Sequence, residues 1–370
     1  MTDLAPLFEP YALGNLTLPN RIVMAPMTRS RSPGGVPTDE VRDYYARRAA
    51  ASVGLIISEG TTVNRGGASN DPNVPNFHEP EALAAWQRVI DAVHDEGGLM
   101  APQLWHMGMM RKPGTGPVPD AASDSPSGLT HKGKPVQEPP SEEEVWDMVM
   151  AYANAAGEAK RLGFDCIELH GAHGYLIDEF FWSKMNVRED RFGGDLPERA
   201  KFAAEIIKEC RKQVGSDYPI ILRFSQWKSQ DFDAKLAETP TELEAFLRVF
   251  ADAGVDALHC SQRRYWEPEF PTVDGQDGLN LAGWTKKLTG LTSITVGSVG
   301  LSSEFTGAFR GEGSKTRPLA DVIERLEKGE FDLIGVGRAL LQDPEWVEKV
   351  RSANWDALRD YDSGALAKLF

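Results

Sequence analysis

Eight apolar runs rich in β-branched residues recur along the chain. They lie at 21–26 (RIVMAP), 54–60 (GLIISEG), 99–105 (LMAPQLW), 166–170 (CIELH), 219–224 (PIILRF), 256–260 (DALHC), 294–297 (ITVG) and 332–336 (DLIGV). None alternates cleanly between apolar and polar, which suits strands covered on both faces of a parallel sheet. Helical spacing fills most of the gaps. Leu83, Trp86, Ile90 and Val93 recur at steps of three and four, as do Val145, Val149, Tyr152, Ala156 and Ala159. Ser141 followed by Glu144 predicts a capping box at the start of the second of these helices. The eighth helix is expected after Pro344. Eight strand–helix units in one chain argue for a closed (β/α)8 TIM barrel, an α/β fold, rather than an open sheet. One domain spanning 1–370 is expected, because such barrels run as single units from about 250 residues upward. Three segments break the alternation, at 112–140, 261–281 and 302–317, after the third, sixth and seventh strands. Active sites of these barrels are built at that end, so the first two segments read as lids or pocket walls and the third as a further insertion.

Composition narrows the setting. Hydrophobic residues make up 41% of the 370, and no stretch approaches the roughly 20 apolar residues of a membrane helix. The opening MTDLAPLFEPYALG lacks the basic and apolar regions of a secretory signal. Cys166, Cys210 and Cys260 form neither a CxxC motif nor a disulfide framework, as expected in a reducing cytoplasm. A net charge of −15 disfavours phosphate backbones and anionic membranes, so neither nucleic acid nor a membrane is an expected partner. Oligomeric state is open.

The chemistry is sought at strand ends. The seventh strand closes on GSVG and the eighth on GVGRALL. Two glycine-rich turns with Arg338 form a site for a phosphate, although glycine also serves plain tight turns. Arg223, at the end of the fifth strand, requires an anionic or carbonyl partner. A flavin edge fits, and so does an ion pair with Glu59 or Glu168. In ELHGAHGYLIDEFF, alternation puts Cys166, Glu168 and His170 on one strand face, with His173 and Tyr175 in the turn beyond. Two imidazoles can donate to one substrate oxygen and a phenol can supply a proton. The HxxH spacing does not match common zinc sites, so no metal is expected. Plain structural histidines remain open, His259 reads as a satisfied core residue, and His106 either lines the pocket or packs a loop.

With these residues the chain resembles the old yellow enzyme family. The resemblance rests on LFEPYALGNLTLPNRIVMAPMTRSRS, LIISEGTTV, APQLWHMG, ELHGAHGYLIDEFF, NVREDRFGG and VGRALLQDP, in that order, over about 7–350. It implies bound FMN, reduced by NADPH or NADH, and hydride transfer to an electron-poor alkene of the enone or nitroalkene type. It assigns Pro26, Met27 and Thr28 to the flavin ring, with Gly60 admitting the ring and Gln103 bonding its pyrimidine edge. Arg223 would stabilise charge on that ring, and Ser298, Val299, Gly300, Gly337 and Arg338 would hold the phosphate. His170 and His173 would bind the activating oxygen, Tyr175 would give the proton, and Trp105 and Trp266 are further substrate contacts. Some members carry Cys at the Thr28 position and Asn at the His173 position. Members with an iron–sulfur cluster extend further and carry a cysteine cluster, so FMN is expected to be the sole redox group here. The competing reading is a flavin-free barrel lyase or isomerase acting on a phosphorylated substrate, which would need a Schiff-base lysine or paired metal carboxylates at strand ends.

Overall fold

Residues 3–370 are described by a computed structural model. A hairpin of β1 (Tyr11–Leu13) and β2 (Leu16–Leu18) leads in. The eight apolar runs become β3 (Ile22–Met24), β4 (Leu55–Thr62), β5 (Met100–Trp105), β6 (Ile167–His173), β7 (Ile220–Lys228), β8 (Ala257–Ser261), β9 (Thr292–Val296) and β10 (Leu333–Val336). All neighbours are parallel, and β10 pairs with β9 and with β3, Ile334 lying opposite Ile22, so the sheet closes into an eight-stranded barrel. The α/β barrel expected from the pattern is therefore the fold. The Pro80–Asp95 and Glu142–Leu162 helices fall where the spacing placed them. The Ser141 hydroxyl accepts from the Glu144 N–H at 3.2 Å, and the Glu144 carboxylate accepts from the Ser141 N–H at 2.7 Å.

Period-two alternation sorts the interior into layers. Val23, Leu55, Ala101, Cys166, Ile221, Ala257, Ile294 and Leu333, one from each strand or the residue leading into it, fill the lower barrel, joined by Leu13 and Leu18 of the hairpin. Two positions on, the same faces carry Gln103, Glu168, Arg223 and His259, all buried. Two further on stand Trp105, His170 and Ser261, at the barrel mouth. A larger apolar layer, including Trp86, Phe164, Phe202 and Phe246, fills the space between strands and helices.

Two strands run furthest past the apolar signal. β6 continues to His173 and β7 to Lys228, paired across a bulge. Backbone pairing persists where the interior turns polar, so composition alone ended these strands early. The eighth helix forms after Pro344 as expected, preceded by a shorter one. Arg338–Gln342 precedes Pro344, and a separate Trp346–Arg351 helix follows it. Asp343 breaks the two at φ −137°, the extended form a residue before proline prefers. Among the described residues no helix is long and apolar enough to cross a membrane.

Candidate active site

The C-terminal strand ends surround a cavity of about 460 Å³. Its lining brings together Pro26, Met27 and Thr28 after β3, Gly60 in β4, Gln103 and Trp105 in β5, and His170, His173 and Tyr175. Arg223, Ser298, Val299, Gly337 and Arg338 complete the expected set, whereas Gly300 and Trp266 do not line it. Gly300 turns the chain at φ +71°, and a Cβ there would lie 3.2 Å from the Trp346 ring. Trp266 stacks instead against Arg317, 3.6 Å from guanidinium carbon to ring centre. Its place in the 261–281 segment carried no information about which way the ring turns.

The buried polar layer forms a floor. Glu168 accepts from Gln103 Nε2 at 2.8 Å and lies 2.6 Å from His259 Nδ1. A carboxylate only accepts, so the Gln103 amide nitrogen faces it and the amide oxygen is left as an acceptor beside Gly60. A Cβ on Gly60 would stand 3.3 Å from the Trp105 ring, so glycine keeps this wall thin. Arg223 settles an open alternative. It makes no ion pair with Glu59 or Glu168 among the described residues, and its only side-chain hydrogen bond goes to Ser261 Oγ at 3.2 Å. Its Nε is buried without an acceptor. Burial lowers its pKa, opposed by Glu168 and Tyr175, but a guanidinium stays charged. This is a buried cation aimed at a cavity with no carboxylate in direct contact among the described residues, Glu168 acting on it only from a distance, and a bound ligand with a negative or carbonyl edge would complete it. His259 is fully buried, but its Nε2 is unpartnered, so it is only half satisfied.

His170, His173 and Tyr175 form the rim. Their ring centres are 5.1 Å apart for the two histidines and 5.0 and 6.5 Å from each to the phenol. Tyr175 also stands edge-on to Trp105 at 5.2 Å. Burial, and then Arg223, hold both imidazoles well below the usual histidine range, so both are neutral. Burial raises the Tyr175 pKa against the pull of Arg223, which keeps the phenol protonated. His170 Nδ1 accepts from the Ala172 N–H at 3.4 Å, so the Nε2 of that ring carries the proton. His173 ends β6 at φ +67°, rare for a residue with a side chain. His106 lies away from the cavity, its Nε2 2.8 Å from Asp124.

At the far end, the N–H groups of Ser298, Val299 and Gly300 have no acceptor among the described residues. The Ser298 hydroxyl is occupied by the carbonyls of Arg263 and Ser303, at 3.1 and 2.9 Å, so this turn offers its backbone rather than that side chain. Arg338 donates to the carbonyls of Ser303 and Glu304. A cation with no carboxylate in direct contact, a bare-backbone turn, a thin glycine wall and an outward amide oxygen fit the edges of FMN.

The sequence reading missed several lining residues, including Trp227, Ser261, Arg263, Phe305 and Leu366. Alternation from Arg223 would have found Trp227 had β7 been carried to its real end. Leu366 had no local signal, being held where Arg29 caps its carbonyl at 2.7 Å. Residues 112–140 contribute nothing to the lining, whereas 261–281 and 302–317 contribute Ser261 to Arg263, Phe305 and Ala308. A lysine does stand at a strand end, contrary to the sequence reading. Lys228 is fully buried and paired with Asp178 at 2.7 Å, and it is not among the lining residues.

The chain matches the sequence model described as the NADH:flavin oxidoreductase / NADH oxidase family over residues 6–356. It is 34% identical over 367 residues to 12-oxophytodienoate reductase 7 of Oryza sativa subsp. japonica, covering 94% of this chain and 88% of that protein. Among solved structures, morphinone reductase in complex with tetrahydroNAD superposes with a TM-score of 0.78 at 27% identity, covering 97% of this chain and 93% of that one. An old yellow enzyme homologue from Zymomonas mobilis also gives 0.78, at 26% identity, covering 98% and 96%.

Proposed function

Because this chain belongs to the NADH:flavin oxidoreductase / NADH oxidase family, and is thereby an FMN-dependent oxidoreductase reduced by NADH or NADPH, we propose that it reduces the carbon–carbon double bond of enones, nitroalkenes or related activated alkenes at the His170–His173–Tyr175 rim. The observation that carries the residue roles is the convergence of two neutral imidazoles and a protonated phenol on one cavity wall, beside an Arg223 whose Nε has no acceptor. Bound FMN would supply the hydride chemistry.

The protein's own groups do the rest. Gln103 and Arg223 would hold the cofactor's polar edge, and Thr28, exposed and without a hydroxyl partner among the described residues, would be a further donor to it. The backbone of Ser298 to Gly300, with Gly337 and Arg338, would hold the phosphate. His170 and His173 donate to the activating oxygen of the substrate, where negative charge grows as the β-carbon accepts hydride. Tyr175 delivers its phenolic proton to the α-carbon. Trp105 and Trp227 offer aromatic walls against which a planar substrate can lie. The test has two parts. Denatured protein should release FMN, and NAD(P)H-reduced protein should be reoxidised by cyclohexenone or a nitroalkene under anaerobic conditions. Release of FAD, or no reoxidation by any activated alkene, would overturn the reading.

A further inference from the structure

His173 is the last residue of β6 and Ser261 the last of β8, yet His173 Nε2 and Ser261 Oγ are 2.7 Å apart. Four other contacts fix the pair. Arg223 donates to the same Ser261 Oγ at 3.2 Å. Trp227 donates its indole N–H to the Ser261 carbonyl at 3.1 Å and stacks on the His173 ring, centroid to centroid 4.5 Å at 23°. The His173 N–H is held by Ser225 Oγ at 3.0 Å.

Counting protons decides the direction of the short bond. A guanidinium can only donate, so Ser261 Oγ is an acceptor toward Arg223, and its own proton needs somewhere to go. Among the described residues the one acceptor in its reach is His173 Nε2. If Nε2 carried the hydrogen instead, both lone pairs of the serine oxygen would be taken by donors and its own proton would have no acceptor among the described residues. The other ring nitrogen, Nδ1, makes no hydrogen bond among the described residues and is not sealed from the cavity.

We propose that Ser261 is a positioning residue that locks His173 in the Nδ1–H tautomer, so that the rim presents Nδ1–H from His173 beside Nε2–H from His170 to a single substrate oxygen. Arg223 orients the serine, and Trp227 prevents the ring from flipping. The inference rests on the reading of His173 as a ligand of the substrate oxygen. It adds that a residue contributed by a different strand decides which nitrogen does the binding.

The test uses the FMN-loaded enzyme labelled with 15N in histidine. The His173 signals are identified by their loss in His173→Ala, and long-range 1H–15N correlation reports which nitrogen is protonated. The expected result is a protonated Nδ1 and a bare Nε2. A wild-type spectrum with Nε2 protonated overturns the proposal by itself, with no variant needed. In Ser261→Ala the proton should redistribute toward Nε2 and phenol binding should weaken about threefold to tenfold, whereas Ser261→Thr, which keeps the hydroxyl, should preserve both. An unchanged tautomer in Ser261→Ala also overturns it. If instead phenol affinity is indifferent to His173→Ala, the assignment of His173 as a substrate ligand is what fails, whatever its tautomer.

Discussion

At the scale of single residues, the division of labour on the rim is the sharpest claim. Tyr175 is held by ring contacts to Trp105 and His170, and its hydroxyl makes no hydrogen bond among the described residues. Tyr175→Phe therefore keeps the wall and deletes only the proton. We expect NAD(P)H oxidation and phenol binding near wild type, and enone reduction slowed roughly 100- to 10,000-fold in single turnover. Nitroalkenes should be affected less, because a nitronate is stable enough to leave and take its proton from water. Enone reduction at the wild-type rate would move the donor role to water or another group. The His170, His173 and Tyr175 set was legible in the sequence because it sits in one short motif. The neutrality of the two imidazoles was not, since it follows from burial and from Arg223 arriving on another strand.

At the scale of elements, the motif is placed by a buried ion pair. Asp178, in the Leu176–Phe181 helix, meets Lys228, at the end of β7, at 2.7 Å with both side chains fully buried. The second Asp178 oxygen accepts from the Gly174 N–H at 2.7 Å, between His173 and Tyr175. Lys228 also donates to the Ser225 carbonyl at 3.3 Å. Burial pushes Asp178 up to about 6 against the pull of Lys228, and burial lowers Lys228. Both directions show a pair whose charges survive only together. Lys228→Met should destabilise the fold by roughly 3–5 kcal/mol, since it strands a carboxylate. Lys228→Met combined with Asp178→Asn should cost clearly less than the two single changes added, as read from denaturant unfolding. Strict additivity would mean the pair does not act as a unit. The alternation that exposed eight strands could not reveal this contact, because the two residues belong to elements 50 positions apart.

For the whole molecule, the barrel ends in a cavity whose walls come from nearly every strand end, plus Leu366 of the C-terminal segment. A ligand that joins those walls should stabilise the fold in proportion to its affinity. At about 100 times the dissociation constant the gain is roughly 2.7 kcal/mol, several degrees of Tm for a protein this size. Stripping the FMN should lower Tm, and adding it back should raise Tm with the logarithm of its concentration. Riboflavin, lacking the phosphate, should stabilise less. Arg338→Ala should bring FMN toward the riboflavin value, and equal stabilisation by both ligands in the wild-type protein would remove the phosphate role from Arg338 and its neighbouring turn.

The sequence by itself determined the eight-fold frame, the capping box that opens the Glu142–Leu162 helix and the face on which Cys166, Glu168 and His170 stand. Those features rest on periods of two and 3.6 residues, which are properties of a chain and its nearest neighbours. It also supplied about half of the lining, because strand ends in a closed barrel must converge. Only the tertiary structure decided that Arg223 has no carboxylate partner, that Trp266 turns to Arg317 and away from the cavity, that Lys228 is neutralised by Asp178, and that Ser261 and Trp227 grip His173. Each depends on the register between strands and on where the barrel closes. Register is set by packing summed over all eight strands, so no local period carries it.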